Sequence, residues 1–384
     1  MGRAPPFFLA PGGPFHALTR RLGLAKGDGR DVARLSLVFG FAPWLGLMLI
    51  SVAERLISGK WPLVAQAPSV HVRLLVTIPA FFLAERSLHV RTQRCIERIE
   101  GFVEPPSEER FRQLLKRATS LRDALFPELL LLAIVALLLA LAFSGAELLP
   151  LGGGQSLRLE RTPISLWYGV IAVPVFQFLT LRWIWRWLIW TTVLVGLSLL
   201  ALRPIPSHPD RRGGIGFLAE PAIGFAYILF GASAVLASGS AFGFDQEAFN
   251  LTAYGFRVLS LTLLGLIVVL GPLLPFARPL FRARFAGIRA YDELAADYTT
   301  RFQQRWLGRS DREGLLGTSD IQSLADMANS YDVVREMRLV PINRDVVVVT
   351  VGAVLAPYLV VLLAEIPLAE LLQDFANSFL GQLF

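Results

Sequence analysis

Side chains that carry enzyme chemistry are scarce in this sequence. One cysteine and four histidines occur in 384 residues. A lone Cys95 leaves no intrachain disulfide framework. No Ser/His/Asp set, Cys-x-x-Cys pair, His-Glu-x-x-His or dinucleotide-binding fingerprint appears. The sequence therefore assigns no catalytic residue, no metal site and no cofactor. Charge is also thin: Asp, Glu, Lys and Arg make up 17%, where a soluble domain carries about a quarter. No secretory signal peptide is expected, because Phe7-Phe8-Leu9-Ala10 is too short for an apolar core and is bordered by prolines and glycines.

What the chain has instead is apolar surface. Hydrophobic residues make up 54%, more than one globular core of this length can hide, so lipid must solvate part of it. The net charge of +7 then reads as basic loops on the cytoplasmic face rather than a nucleic-acid footprint. The expected fold is an all-α polytopic membrane helix bundle of about seven spans, at 36–57, 70–89, 127–149, 164–182, 217–240, 252–276 and 345–366. It follows a basic cytoplasmic N-terminal arm over 1–34, expected to be flexible, with the bundle filling 35–384.

Arginines set the expected orientation. With the N-terminus inside, Arg86, Arg91, Arg94, Arg98, Arg110, Arg112, Arg117 and Arg122 fall in one cytoplasmic loop, and eleven more arginines fall between Arg278 and Arg344. The outer loops keep only Lys60, Arg158 and Arg161, and the C-terminus is outside. The apolar run from Ser165 to Leu202 has no turn signal near Arg182, and two crossings would invert the arginines, so it crosses once. A continuous helix there would run about 57 Å, against a hydrocarbon core of ~30 Å. Its inner end, Thr191–Leu202, is apolar all round and must be covered.

Three intracellular segments, 85–126, 183–216 and 277–341, are expected to form a helical layer that supplies the cover. In the first, Phe111, Leu114, Leu115 and Ala118 recur at helical spacing; in the last, Ser319 and Gln322 suggest a capping box. In Arg182-Trp-Ile-Trp-Arg186, the two arginines share a helix face near the inner interface. They read either as snorkelling side chains in an aromatic belt or as an anionic-lipid site.

Between the fourth and fifth spans lies "HPDRRGGIGFL", His208 to Leu218. Gly213 and Gly214 permit conformations that side chains forbid, and Arg211 and Arg212 flank a helix start. His208, Asp210, Arg211, Arg212, Gly213 and Gly214 could therefore cradle a phosphate or lipid headgroup. The alternative is a turn in which Asp210 bonds local N–H groups. In the last span Thr350, Tyr358 and Glu365 fall within about 80° of one another on a helical wheel. They read as a polar stripe lining a conduction path, or as one interhelical bond plus an interfacial acid. Gly352 and Ala356 make a small-xxx-small pair. Residues 368–384 are amphipathic and are expected to lie on the outer surface.

The "HPDRRGGIGFL" loop, with "LGTSDIQSLADMANSYDVV" and "VPINRD", resembles a group of uncharacterised bacterial multi-pass membrane proteins, which implies the bacterial inner membrane and no activity. The architecture is similar to insect odorant-receptor-type ion channels: seven spans, N-terminus in, helices continuing into a cytoplasmic layer. That resemblance implies a homo-oligomeric channel, gated by a ligand, whose last span lines the pore. The Thr-Tyr and Gln-Phe signature of that family's last span is absent here. Two other classes stay open: a membrane-anchored sensor or assembly protein, and a membrane enzyme or binder acting on anionic lipid through His208–Leu218. Expected partners are further copies of the chain and membrane lipid, with anionic lipid at the inner interface.

Orientation can be tested directly. Asp320→Cys in a Cys95→Ser background should react only with reagents that reach the cytoplasmic side, and labelling from outside would invert the topology.

Overall fold

The computed structural model describes residues 7–26, 30–144, 149–152, 155–157, 162–241, 251–307 and 319–365. Seven helices are long and apolar enough to cross a membrane: Asp31–Ser58, Pro68–Glu100, Leu125–Phe143, Pro163–Ser198, Gly216–Ser240, Tyr254–Trp306 and Arg344–Leu363. These are the first to seventh spans, and the chain is a multi-pass membrane protein. A two-stranded antiparallel hairpin, Leu149–Gly152 with Gln155–Leu157, is the only sheet among the described residues. Residues 242–250, Arg158, Arg161 and the expected surface helix over 368–384 lie outside them.

Prolines shape the first, second and fourth spans. Each contains a π-helical turn just before a proline: Leu37–Phe41 before Pro43, Arg73–Thr77 before Pro79, and Tyr168–Ala172 before Pro174. A proline lacks the N–H of its turn and its ring presses on the carbonyl four residues back, and a widened turn relieves both. The π turns of the first two spans touch. There a Cβ on Gly40 would stand 2.5 Å from the Leu74 carbonyl oxygen, so only glycine fits. In the sixth span, Pro272 and Pro275 instead tighten the helix into a 3₁₀ stretch, Gly271–Phe276.

The fourth span runs unbroken over 36 residues, about 54 Å at the α-helical rise. Its apolar end is covered within the chain. Val193, Leu194 and Leu197 are buried, and the helix Glu108–Asp123 packs over them with Phe111, Leu115 and Ala118. Leu199 at the tip is exposed. The sixth span continues past its 3₁₀ stretch as Ala277–Trp306, and Asp320–Arg335 folds back along it. Tyr291 stacks on Tyr331, while the Arg284 Nη2 donates to the Arg335 carbonyl at 2.6 Å. The expected capping box is not formed: Ser319 makes no side-chain cap bond, and Gln322 donates to Asp326 instead.

The N-terminal arm is not a free tail. Residues 7–26 fold against the bundle, with Phe7, Leu9 and Ala10 fully buried and Gly13–Arg21 helical. The apolar run of this arm is too short for a span, but it is long enough to fill a gap between helix ends.

One contact tests the cover on the fourth span. A Cβ at Gly196 would lie 2.6 Å from a Leu114 methyl, so Gly196→Ala should cost about 1–3 kcal/mol through overpacking. In a double-mutant cycle read by thermal unfolding in detergent, the same change should cost less in a Leu114→Ala background. Equal losses in both backgrounds would mean that the two side chains do not meet.

Candidate functional site

Ionisable groups inside a helix bundle are costly and mark functional sites by default. Here they converge where the second, third and fourth spans meet the N-terminal segment. Arg182 and Arg186 lie one turn apart on the fourth span, and both face inward, 3% and 1% exposed. Neither snorkels to lipid, so the belt and lipid-contact readings of this pair do not hold. The fourth span is apolar on every face, and its sequence could not say which face packs.

Both guanidiniums lie near acceptors, and Arg186 is hydrogen-bonded to its own. Arg186 donates to the carbonyls of Leu9 and Gly12, the latter at 2.5 Å. Arg182 lies 3.6 Å from Glu85 of the second span and 3.8 Å from Glu128 of the third, and its guanidinium covers the Phe15 ring at 4.9 Å. The other Glu128 oxygen accepts the Phe15 N–H at 2.7 Å. Arg122 is paired with Asp123 at 2.5 Å and donates to the Phe8 carbonyl, while Asp123 accepts the Gly13 N–H at 2.9 Å. Gly12 and Gly13 take φ of 133° and 84°, which only glycine adopts readily. That turn aims the Leu9 and Gly12 carbonyls at Arg186.

A cavity of about 480 Å³ opens beside this cluster, between the N-terminal helix and the second span. Glu85, His16 and His89 line it. The His89 ring lies 4.9 Å from that of Phe8. Burial lowers the pKa of His16; Glu85 opposes this, while Arg182, Arg186 and Arg20 reinforce it. One polar atom of Glu85, one of His89 and two of Arg182 are buried without a hydrogen-bond partner. Sequence reading missed the cavity, since its walls come from elements some fifty residues apart.

The His208–Leu218 loop forms the expected nest of N–H groups, but the loop's own carboxylate fills it. Asp210 Oδ1 accepts from the N–H of Arg212 at 2.8 Å and of Gly214 at 3.0 Å, and Oδ2 accepts from Gly216 at 3.1 Å. His208 Nδ1 lies 2.9 Å from Oδ1. Burial works to raise the Asp210 pKa, but these donors outweigh it and hold the carboxyl below its ordinary range. Arg211 has φ of 53° and an exposed ion pair with Glu336, and its carbonyl accepts the Arg338 N–H at 2.7 Å. Arg212 donates to the Ile342 carbonyl at 3.0 Å, and Asn343 donates to the Gly216 carbonyl at 3.3 Å. Gly213 and Gly214 have φ of 66° and 81° and press on Met337 and Phe102 respectively. The loop is thus a clasp on segment 336–343, which leads into the seventh span.

In the seventh span, the polar stripe turns into the protomer. Thr350 is buried and donates to the Val346 carbonyl at 2.7 Å. Tyr358 is also buried, stacks edge-on against Tyr254, and accepts the Tyr254 hydroxyl on its carbonyl at 2.7 Å. This stripe therefore packs on the fifth and sixth spans. Glu365 ends the helix, and its side chain lies outside the described residues. The opposite face exposes Val348, Gly352, Ala356, Leu359 and Val360.

The clasp has a pH signature. Because the folded pKa of Asp210 is depressed, its stabilisation is present above the unfolded carboxylate value of about 3.9 and is lost as pH falls through the folded value. Asp210→Asn should lower stability at neutral pH by on the order of 2 kcal/mol, and the loss should shrink below about pH 4. A pH-independent difference between the two proteins in thermal unfolding would show that the carboxylate charge does not hold the loop.

Comparisons of the chain with protein-family models, with curated proteins and with solved structures find no match in any of the three, so its function is argued from these residues alone.

Proposed function

We propose that the protein is a homo-oligomeric channel of the bacterial inner membrane, with its basic end in the cytoplasm. The observation that carries the reading is the Glu85–Arg182–Glu128 cluster, with Arg182 and Glu128 buried where three spans meet and Glu85 lining a cavity. A structural role alone would be served as well by apolar side chains, which avoid the desolvation penalty of buried ions. Polar groups gathered at such a place mark ion or proton pathways in membrane proteins. The path therefore follows this cluster within each protomer rather than the Thr350–Tyr358 stripe.

Placing the basic end inside agrees with the positive-inside rule. The 53-residue sixth helix, about 80 Å long, then extends into the cytoplasm and returns through Asp320–Arg335. Oligomerisation uses the outward face of the seventh span. Gly352 and Ala356 stand one turn apart there, and a Cβ on Gly352 would meet nothing within 4 Å, leaving room for the close backbone approach that small residues allow between membrane helices.

Two measurements test this reading. Ion flux into liposomes, screened over a range of candidate activators, should fall sharply for Glu85→Gln and Glu128→Gln. Gly352→Ile should shift the particle to monomer in native mass spectrometry while its melting temperature holds. Parent flux that is indifferent to both carboxylate changes would remove the cluster from the path. A parent that is monomeric in detergent and in lipid would overturn the oligomer.

A further inference from the structure

Past the clasp, the segment that leads into the seventh span borders an open groove of about 530 Å³. Its wall is mostly hydrocarbon, from Leu339, Val340, Val347 and Val348. Two cations complete it: Arg338, and Arg344 at the first turn of the span. Both are exposed, and neither makes an ion pair among the described residues. No described carboxylate lines the groove. Of the nearest acids along the chain, Glu336 is paired with Arg211 at 2.6 Å, and Asp345 stands about 100° round the helix from Arg344. The clasp fixes the floor, because Arg212 donates to the Ile342 carbonyl and Asn343 to the Gly216 carbonyl. Burial and the like charge of Arg338 lower the Arg212 pKa, while Asp210 opposes them. An anion beside Arg338 would relieve a repulsion that the fold retains.

Location selects the ligand. Arg344 begins a helix apolar enough to cross a membrane, and Val348, one turn on, is exposed. A cationic groove that continues into hydrocarbon matches a phospholipid, whose phosphate oxygens suit guanidiniums and whose acyl carbons suit the valines. A free anion would leave the apolar wall wet.

We infer that this groove holds an anionic phospholipid of the leaflet at the basic end, with Arg338 and Arg344 sharing its headgroup and Val347 and Val348 taking the first part of its acyl chains. The leaflet is the inner one on the orientation proposed above, but the site does not depend on conduction. It ends one turn short of Gly352, so it leaves the contact between copies free. It also replaces the two lipid contacts expected from the sequence. Arg182 and Arg186 are buried, and Asp210 fills the His208–Leu218 nest.

The test uses the full chain in detergent after delipidation, with lipid retention counted per chain by native mass spectrometry. Phosphatidylglycerol should be retained over phosphatidylcholine. The double variant Arg338→Gln/Arg344→Gln changes two exposed side chains and leaves the buried cluster intact. It should weaken phosphatidylglycerol binding by about tenfold or more, at an unchanged melting temperature. Val348→Trp, which fills the groove without altering charge, should weaken it as well. Arg278→Gln/Arg282→Gln removes two exposed cations of the sixth helix and should change nothing. Equal retention of the two lipids, binding by either groove variant that matches the parent, or an equal loss from the Arg278 and Arg282 pair overturns the site. Displacement of the lipid by equimolar glycerol 3-phosphate would make the occupant a soluble anion and overturn the lipid. Binding is read without flux, so a chain that binds but conducts nothing would lose the channel reading and keep this one.

Discussion

The arrangement of the basic end depends on satisfying Arg186. A guanidinium has five donors, keeps its charge in proteins, and cannot be left dry without acceptors. Arg186 is 1% exposed, and the acceptors it finds are main-chain carbonyls of Leu9 and Gly12. Those carbonyls reach it only because Gly12 and Gly13 turn the chain, and that turn delivers the Gly13 and Phe15 N–H groups to Asp123 and Glu128. One buried cation therefore fixes the N-terminal segment, the start of the third span and the middle of the fourth. Removing one partner from a buried ionic set costs about 3–5 kcal/mol, so these elements hold or fail together.

The membrane half of the bundle follows a different constraint. Its first, second and fourth spans each lose regular α-helical bonding at a proline and recover it through a π turn. Polar side chains gather around these turns: Trp167 Nε1 donates to the Pro43 carbonyl at 2.9 Å, Trp44 donates to His71 at 3.0 Å, and Arg73 donates to the Tyr168 hydroxyl at 2.5 Å. Lipid offers no hydrogen bonds, and each widened turn buries one side in the protein, at Gly40, at Leu74 and Thr77, and at Tyr168, Gly169 and Ala172. Between the second and fifth spans, Thr77 donates to the Gly231 carbonyl at 3.0 Å across a contact that a Cβ on Gly231 would close to 2.7 Å. Small residues there let polar atoms reach across.

The spans were legible because length and apolarity suffice to mark them, and seven of them stand near the expected places. The single crossing of the fourth was legible for the same reason, once the arginine asymmetry excluded a hairpin. Facing was not legible. The fourth and seventh spans carry apolar residues all round, so no periodicity separates a core face from a lipid face. Arg182 with Arg186, and Thr350 with Tyr358, were visible as two polar groups, but their direction was fixed only by neighbours far along the chain. The N-terminal arm was illegible for another reason. It meets the Arg122, Asp123, Glu128 and Arg186 side chains with its own backbone carbonyls and N–H groups, which leave no trace in side-chain pattern. In the His208–Leu218 loop the sequence left open a cradle for an outside anion or a turn closed by Asp210, and in the structure Asp210 bonds the N–H groups of Arg212, Gly214 and Gly216.

That self-filled nest also decides how the helices Ala277–Trp306 and Asp320–Arg335 join the seventh span. The hairpin Ala277–Arg335 and the seventh span are separated by one short segment, 336–343, and the clasp grips it at Glu336, Arg338, Ile342 and Asn343. Gly213 packs on Leu280 at the root of the hairpin and on Met337 just past its end. The fourth span reaches the same junction, since the Arg203 N–H donates to the Phe102 carbonyl at 2.8 Å and Ile205 donates to Gly213 at 2.9 Å. A carboxylate covalently attached to the loop satisfies these N–H groups without the translational cost of recruiting a free anion. The junction is thereby closed by the chain's own carboxylate, and this is why its charges belong to the scaffold.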